Sequence, residues 1–418
     1  MREDNLLSLS YGRIINKDIE GAEGLLPESF ETYQIVAPGN IVMRLTDLQN
    51  DKRSLRQGLV RERGIITSAY DALEVGKDHD PRFWAYALLA LDLAKYYYSL
   101  GGGVRQSIKF ADFPNDWIAV PDLPTQKTIA DFLDRETARI DLLIEKKQWQ
   151  VSLLAEAHAT SAEALLSGRS YGPSVATTGR SSHIRFLPDG WKETRLRFGI
   201  RRIEQGWSPQ CEDRQVEGEE WGVLKLGAIT TGEFVEDAHK ALPSGLAALP
   251  VHAVRAGDVL VARASGSPAL VGKACLVDRV TRNLMLSDKH FRIDLDPRWF
   301  DRSFFVNALN SPLGRLQIEA RLSSAEGMAR NIGQEVIRGL WLAVPPREEQ
   351  SRIAASIDAS RKRVAATFER IEGSIERLRE FRAALITAAV TGQINPETWS
   401  RRGTTDRRLD QIAAEMSA

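Results

Sequence analysis

The five residues WIAVP at 117–121 return as WLAVP at 341–345, and the likeness runs on beyond them. Aligned without a gap, residues 117–169 and 341–393 are identical at 15 of 53 positions, among them Trp117/Trp341, Pro121/Pro345, Gln126/Gln350, Ile129/Ile353, Asp134/Asp358, Glu145/Glu369 and Gly168/Gly392. Chance seldom gives this over an ungapped stretch, so the chain contains a duplicated unit. That repeat limits the fold more than any other feature, because whatever the unit builds must be built twice. A chain of 418 residues is in any case too long for one ordinary core.

Each copy reads as one long helix. Prolines stand at the entrance (Pro121 and Pro124; Pro345 and Pro346), a glycine stands at the exit (Gly168; Gly392), and no proline lies between. Steps of four and three residues place Leu133, Ile140, Ile144, Val151, Leu154 and Leu165 on one seam of the first copy. The same steps place Ile357, Val364, Phe368, Ile371, Ile375, Leu378 and Leu385 on one seam of the second. This is coiled-coil spacing, although polar residues such as Thr137, Lys147, His158 and Ser161 interrupt it. Because the registers match, the two helices are expected to pair with each other in antiparallel fashion rather than lie in separate globules. Forty-odd residues at 1.5 Å each make a rod of roughly 60 Å.

The segments ahead of the two copies are alike more weakly. DPRFWAYALLAL at 80–91 matches DPRWFDRSFFVNAL at 296–309, APGNIVMR at 37–44 matches RAGDVLVAR at 255–263, and LLSLSYGRI at 6–14 resembles VLKLGAIT at 223–230. Each segment mixes short β-rich runs with a helix after DPR, which reads as an α+β module. GRSYGPSVATTGRSS at 168–182 reads as a flexible linker. The second module opens near FLPDGWKETRL at 186–196; its counterpart in the first would fall about thirty residues before Met1, so the first module is expected to be short at its N-terminus.

Composition narrows the function. With 43% hydrophobic and 27% charged residues the chain is globular, and 56 basic residues balance 56 acidic ones. Net charge therefore lends no support to polyanion binding, and any nucleic-acid surface must come from charge gathered locally on one face. Two cysteines, Cys211 and Cys275, do not make a secreted disulfide framework. The start, MREDNLLSLSYGR, lacks a signal sequence, and FWAYALLALDLA at 83–94 is interrupted by Asp92 and fits a buried helix. The expectation is a cytoplasmic, unanchored protein.

VPPREEQSRIAASIDA at 344–359, followed by a long helix ending TAAVTGQI at 387–394, closely resembles the distal conserved region of type I restriction-modification specificity subunits. The copy at 120–169 resembles the central conserved region of that family, FLPDGWKETRL the opening of a target-recognition domain, and LLSLSYGRI with residues 30–60 one recurring type of such a domain. The resemblance covers residues 6–394, and its order of module, helix, linker, module and helix is more specific than any single motif. It implies an α+β fold with two target-recognition domains (mixed β-sheet with helices) separated by an antiparallel coiled coil of two long helices. The corresponding division is 1–117, 118–169, 170–185 as linker, 186–341, 342–393 and a tail at 394–418. It implies further that the chain has no catalytic chemistry of its own: each domain reads half of a split target in double-stranded DNA, and the helices space the halves and dock two methyltransferase subunits. Motor-nuclease restriction subunits join that core. S-adenosylmethionine, and ATP with Mg in restriction, then belong to the partner subunits, and this chain needs no cofactor or metal. The alternative is an assembly scaffold for methyltransferase subunits whose shortened first domain no longer reads DNA.

Sequences that imitate catalysis do not survive inspection. Asp122 with Glu145 and Lys147 mimics a PD…ExK nuclease, but the last two fall within a helix, and the duplicate has Pro346 and Ile371 where Asp122 and Lys147 stand. GSPALVGKA at 266–274 has one residue too many for a phosphate loop and Ala274 where a hydroxyl is needed. NSPL at 310–313 lacks the aromatic of a methyltransferase tetrad, and the six histidines have no metal-ligand spacing.

DNA reading needs base-edge donors and acceptors with basic groups on phosphates. Beyond a strand of the first module lie Arg44, Thr46, Asp47, Gln49, Asn50, Lys52, Arg53 and Arg56. Ser10, Tyr11, Arg13 and Lys17 follow another strand, and Arg105 and Gln106 precede WIAVP. The counterparts in the second module are Lys225, Arg263, Ser265, Ser267, Lys273, Arg330 and Asn331. Arg195, Arg197, Arg201 and Arg202 suit either phosphate contacts or a solvated face.

Overall fold

Outside the two long helices the strands are short, three to six residues each, because Gly, Pro and Asp break every β-branched run. The computed structural model describes residues 5–17, 30–48, 55–100, 107–112, 115, 117–171, 174–176, 181, 183–229, 232–322 and 331–399. They form two compact units: Met1–Val151 with Glu369–Ala418, and Ser152–Phe368. Each unit therefore holds one module together with part of both long helices.

In the first unit β1 (Leu7–Ser10) and β2 (Arg13–Asn16) form a hairpin whose turn, Tyr11–Gly12, has positive φ at both residues. β3 (Gln34–Val36) pairs with β6 (Gly64–Ile66), while β4 (Ile41–Met43) lies antiparallel between β5 (Gln57–Leu59) and β7 (Asp71–Leu73). Period-two alternation sends Ile41 and Met43 of β4 into one cluster and Val42 into another. Asp80 caps α1 (Pro81–Leu93), accepting from the N–H groups of Arg82 and Phe83, with Pro81 in the first turn. This helix is buried on two sides: Leu88 joins the sheet cluster with Tyr97, which opens the short α2 (Tyr97–Leu100). Phe83, Ala87 and Ala90 join the long helices.

The second unit begins with β8 (Ser174–Ala176) paired to β9 (Phe186–Pro188), so the segment read as a flexible linker contains a strand. β10 (Lys192–Arg195) pairs elsewhere, as described below. A four-stranded sheet follows in the order β11 (Ile200–Gln205), β17 (His290–Leu295), β14 (Val259–Ala262), β15 (Ala274–Leu276). A three-stranded one has the order β13 (His239–Ala241), β12 (Trp221–Leu224), β16 (Asn283–Met285). Helices α4 (Arg302–Asn310), α5 (Pro312–Leu322) and α6 (Gln334–Gly339) lead to β18 (Trp341–Val344), which pairs antiparallel with β10.

Topology makes the duplication of the modules plain where sequence showed it weakly. β14 lies between β15 and β17 as β4 lies between β5 and β7, all antiparallel. An antiparallel bridge Ala253↔Met285 repeats the Gln34↔Ile66 pairing, and the parallel β12–β16 pair repeats the parallel bridge Leu6↔Ile65. One textual match needs correction. DPR at 296–298 does not correspond to DPR at 80–82: the residue that caps the second module's helix as Asp80 caps α1 is Asp301, and Asp296 instead binds the Arg298 side chain. LLSLSYGRI and VLKLGAIT both begin on a strand paired antiparallel with the next one, β1 with β2 and β12 with β13, but the first turns at once through Tyr11–Gly12 whereas the second runs into a 3₁₀ turn over Leu226–Ile229.

The long helices α3 (Leu123–Leu166) and α7 (Arg347–Val390) are unbroken over 44 residues each. In the first unit Ile129, Leu133 and Ile140 of α3 pack with Leu378, Leu385 and Ile386 of α7, and Arg382 pairs with Asp141. In the second unit Leu165 and Leu166 of α3 meet Ile353, Ala354 and Ile357 of α7, and His158 Nδ1 lies 3.0 Å from Ser360 Oγ. In both units the start of one helix meets the end of the other, so the pairing is antiparallel. Leu133, Ile140, Ile357, Ile375, Leu378 and Leu385 are buried, whereas Ile144, Val151, Leu154, Leu165, Val364, Phe368 and Ile371 are half-buried.

The duplicated glutamines join module to helix. Gln126 accepts from the N–H of Asp80 (2.9 Å) and donates to the Pro121 carbonyl (2.8 Å). Gln350 accepts from the N–H of Asp301 (2.8 Å) and donates to the carbonyls of Pro345 (3.0 Å) and Trp299 (2.9 Å). Both are buried, so each holds a helix-capping residue against the proline that starts its long helix.

Candidate nucleic-acid interface

In the second module the central strand β14 delivers Arg263 to its end, and the chain then turns out through Ser265 and Ser267 before returning as β15. The segment ahead of β18 comes back to the same place: Asn331 bridges Ala264, and the Ile332 N–H donates to the Arg263 carbonyl (2.9 Å). The fold thus brings together Arg263, Ser265, Ser267 and Asn331, which the sequence separates by up to 68 positions (331 − 263). Asn331 and Ser267 are exposed, and Arg263 and Ser265 are half-exposed. Arg330 lies outside the described residues.

A turn overlooked in the sequence forms the other wall. Between β16 and β17 the carbonyl of Lys289 accepts from the Arg263 N–H (2.7 Å), and the Asp288 carbonyl accepts from the Arg263 guanidinium (3.2 Å). Gln205 donates to that same carbonyl (3.1 Å) and Ser208 donates to the Asp288 carboxylate. Burial pushes the Asp288 carboxyl up, but Ser208 and Lys289 outweigh it and hold it below the ordinary range. Only an S-D-K turn between two strands could have signalled Lys289 beforehand. The guanidinium of Arg263 also sits over the Phe291 ring, 5.9 Å from its centroid. It is pre-positioned by protein groups rather than swinging free, a geometry suited to a planar donor reading a base edge.

The Lys273 carbonyl accepts from the Ala262 N–H (2.8 Å), one residue ahead of Arg263, and Lys225 lies between β12 and the 3₁₀ turn over Leu226–Ile229. Burial lowers the Lys273 pKa, with nearby Arg315 acting in the same direction. Lys225 is ion-paired with Asp213 at 2.9 Å. Arg201 pairs with Asp296 and Arg202 with Glu204. Arg195 lies over the Trp341 ring and Arg197 over Phe198.

The first module repeats the arrangement: the Ile108 N–H donates to the Leu45 carbonyl (3.0 Å), so the segment ahead of WIAVP again returns to the loop after the central strand. Arg44 and Thr46 are half-exposed on that loop, and Asp47 is exposed in the left-handed region at φ 58°. Gln49, Asn50, Lys52, Arg53, Arg105 and Gln106 lie outside the described residues. Arg56 requires correction as a DNA contact. It is fully buried, donates to the carbonyls of Thr46 (3.0 Å) and Asp47 (3.4 Å), and packs on Tyr98, so it shapes the loop from beneath. Ser10 and Tyr11 sit at the β1–β2 turn with Tyr11 exposed, Lys17 is exposed beyond β2, and Arg13 pairs with Asp141 of α3 at 2.9 Å.

The features that imitate catalysis take ordinary structural places. Glu145 and Lys147 lie within α3, and residues 266–273 connect two strands. Asn310 exchanges two hydrogen bonds with the backbone of Ala274, and Ser311 accepts from the Gly314 N–H at the start of α5. Among the described residues no group of three or more His, Cys, Asp or Glu is placed to hold a metal ion, and no helix is long and apolar enough to cross a membrane.

No family model matches the chain. By sequence it is 34% identical to the type I restriction enzyme EcoEI specificity subunit of Escherichia coli over 173 residues, which are 41% of this chain and 29% of that one. It is 23% identical to the StySPI specificity subunit of Salmonella potsdam over 327 residues, 76% of this chain and 68% of that one. The match to the first relative therefore spans well under two thirds of its length. In fold the chain is similar to one from a solved structure on complex assembly and conformational transition of the type I R-M system, with a TM-score of 0.59, 19% identity, and 88% of this chain and 85% of that one covered. The comparisons agree with the resemblance read from the sequence: this chain is similar to type I restriction enzyme specificity subunits.

Proposed function

We propose that this chain is the sequence-specific DNA-binding subunit of a type I restriction-modification complex, reading a bipartite target with one module per half. One observation carries the reading. The same topology occurs twice, and each time it sets the loop after the central strand against the segment ahead of W-[IL]-A-V-P. In the second module this gathers Arg263, Ser265, Ser267 and Asn331, the donors and acceptors that base-edge reading needs. The two long helices provide surfaces on which two methyltransferase subunits dock, and restriction subunits join them. Methyl transfer from S-adenosylmethionine to a flipped adenine, and ATP-driven restriction with Mg, belong to those partners. This chain contributes no catalytic group.

The experiment is a titration of labelled duplexes with the complex reconstituted from this chain and its methyltransferase partner, at several salt concentrations. Preference for one split sequence over scrambled DNA supports the reading. Uniform binding that weakens steeply with salt leaves only an assembly scaffold. Cleavage of plasmid by the isolated chain with Mg²⁺ would overturn the absence of catalysis.

A further inference from the structure

In both modules the loop that follows the central strand is held from beneath by an arginine, and the two arginines are not counterparts. In the first module Arg56, just ahead of β5, is fully buried and donates to the carbonyls of Thr46 (3.0 Å) and Asp47 (3.4 Å). In the second module Arg315 reaches the loop from α5. Its side chain is 11% exposed and donates to the carbonyls of Val271 (2.6 Å) and Pro268 (3.3 Å), with Glu319 accepting at 3.4 Å. Strand pairing matches Arg56 with Lys273 instead: the Arg44 N–H donates to the Arg56 carbonyl (2.7 Å) as the Ala262 N–H donates to that of Lys273. Neighbouring side chains brace each fork. The Arg56 guanidinium lies 5.5 Å from the centroid of the Tyr98 ring, with its Nε 3.3 Å from the Tyr98 hydroxyl. Three residues beyond Arg315, Ile318 of α5 packs where the loop ends, so that a Cβ at Gly272 would come within 2.7 Å of it.

A buried guanidinium is costly to desolvate, and a side-chain amide donates to carbonyls without that cost. What the planar fork adds is rigidity, because two donors in one stiff group hold two carbonyls at a fixed separation. The two modules reach the same fastening from different elements, so the requirement belongs to the loops rather than to an inherited framework. These are the loops that carry the candidate base contacts: Arg44, Thr46 and Asp47 in the first, Arg263, Ser265 and Ser267 in the second. Asp47 is held at φ 58°, a conformation that a residue with a side chain keeps only when its surroundings over-determine it.

We propose that Arg56 and Arg315 are positioning residues for DNA recognition, each making its loop a rigid template for base edges in one half of the target. This rests on the DNA-reading function proposed above and adds which buried groups set its selectivity. A stiff loop keeps its donors and acceptors where a matching base edge presents its own. A slack loop loses more order on binding the match, and it adapts to mismatches. Loss of either fork therefore lowers the ratio between right and wrong sequences at one half-site, and leaves the attraction to phosphates as it was.

The test compares complexes reconstituted with the methyltransferase partner from the parent chain, Arg315→Gln and Arg56→Lys. Each is titrated with duplexes altered in one half of the target at a time. Glutamine and lysine both keep a donor and lose the fork. Arg315→Gln should lower discrimination about tenfold in one half and leave the other unchanged, and Arg56→Lys should do the reverse. The dependence of affinity on salt should stay that of the parent, and amide exchange at 264–272 should quicken in Arg315→Gln. Unchanged discrimination, or equal loss in both halves, overturns the proposal. So does a salt slope shallower by about one in Arg315→Gln, which would make that guanidinium a phosphate contact. If Arg56→Lys does not assemble, the readings on Arg315→Gln decide alone. A parent complex without sequence preference fails differently: it removes the proposed function itself, and this proposal with it.

Discussion

At the scale of single residues, buried polar groups give the sharpest consequences. His290 is fully buried in β17 with Nδ1 2.8 Å from Ser287 Oγ, and burial pushes its pKa down to about 4, against the partial opposition of Asp288. A histidine depressed in the folded state binds its proton more readily in the unfolded one. Its contribution is therefore complete above the unfolded pKa near 6.5 and is lost as pH falls toward the folded value. Stability should drop by up to about 1.4 kcal/mol per pH unit across that window, and unfolding curves of the His290→Leu variant should lack that increment. The proposed reading cluster makes a different prediction. Asn331→Ala and Ser267→Ala, both exposed, should leave the fold intact and relax discrimination at one half of the DNA target, by about 1–3 kcal/mol for a residue that pairs with a base. Competition titrations with half-site variants measure it. Arg263→Ala is a poorer probe, because it also removes a bond to the 287–290 turn.

At the scale of elements, the latch at the start of each long helix matters most. Gln350→Leu removes three hydrogen bonds and strands part-buried backbone groups at the start of α4 and a buried carbonyl ahead of α7, so it should cost about 2–4 kcal/mol. Gln126→Leu loses the corresponding bonds to Asp80 and Pro121. Faster amide exchange in α4 and α1 respectively would report each loss locally. The seam should be graded in the same way. Leu385→Ala empties a buried site and should cost about 2–5 kcal/mol. Ile371→Ala should cost less, because part of that side chain is already in water. Thermal or denaturant unfolding of the two variants decides the order.

At the scale of the whole molecule, the proposed bipartite reading requires that the two halves of a target keep one spacing. Both α3 and α7 are continuous, and a helix shortens only by breaking hydrogen bonds. Lengthening the spacer by one base pair shifts one half-site by about 3.4 Å and turns it about a tenth of a helical turn; binding by the reconstituted complex should fall about tenfold or more. The repeat, the two long helices, their antiparallel pairing and the likeness to specificity subunits were all legible in the chain itself. Hydrophobic spacing, prolines and glycines are local signals, and a unit written twice doubles them. The equivalence of Asp80 with Asp301 instead of Asp296, the burial of Arg56, the meeting of Asn331 with Arg263 and the part played by Lys289 were not. Each depends on which strands lie side by side, and strand pairing is settled by contacts distant along the chain, where many registers satisfy the same short apolar runs. Sequence alone determined that there are two similar units and two paired rods, because periodicity needs only neighbours. Tertiary structure decided which side chains reach the reading face and which stay buried beneath it, because burial is a property of what the rest of the chain brings to a place.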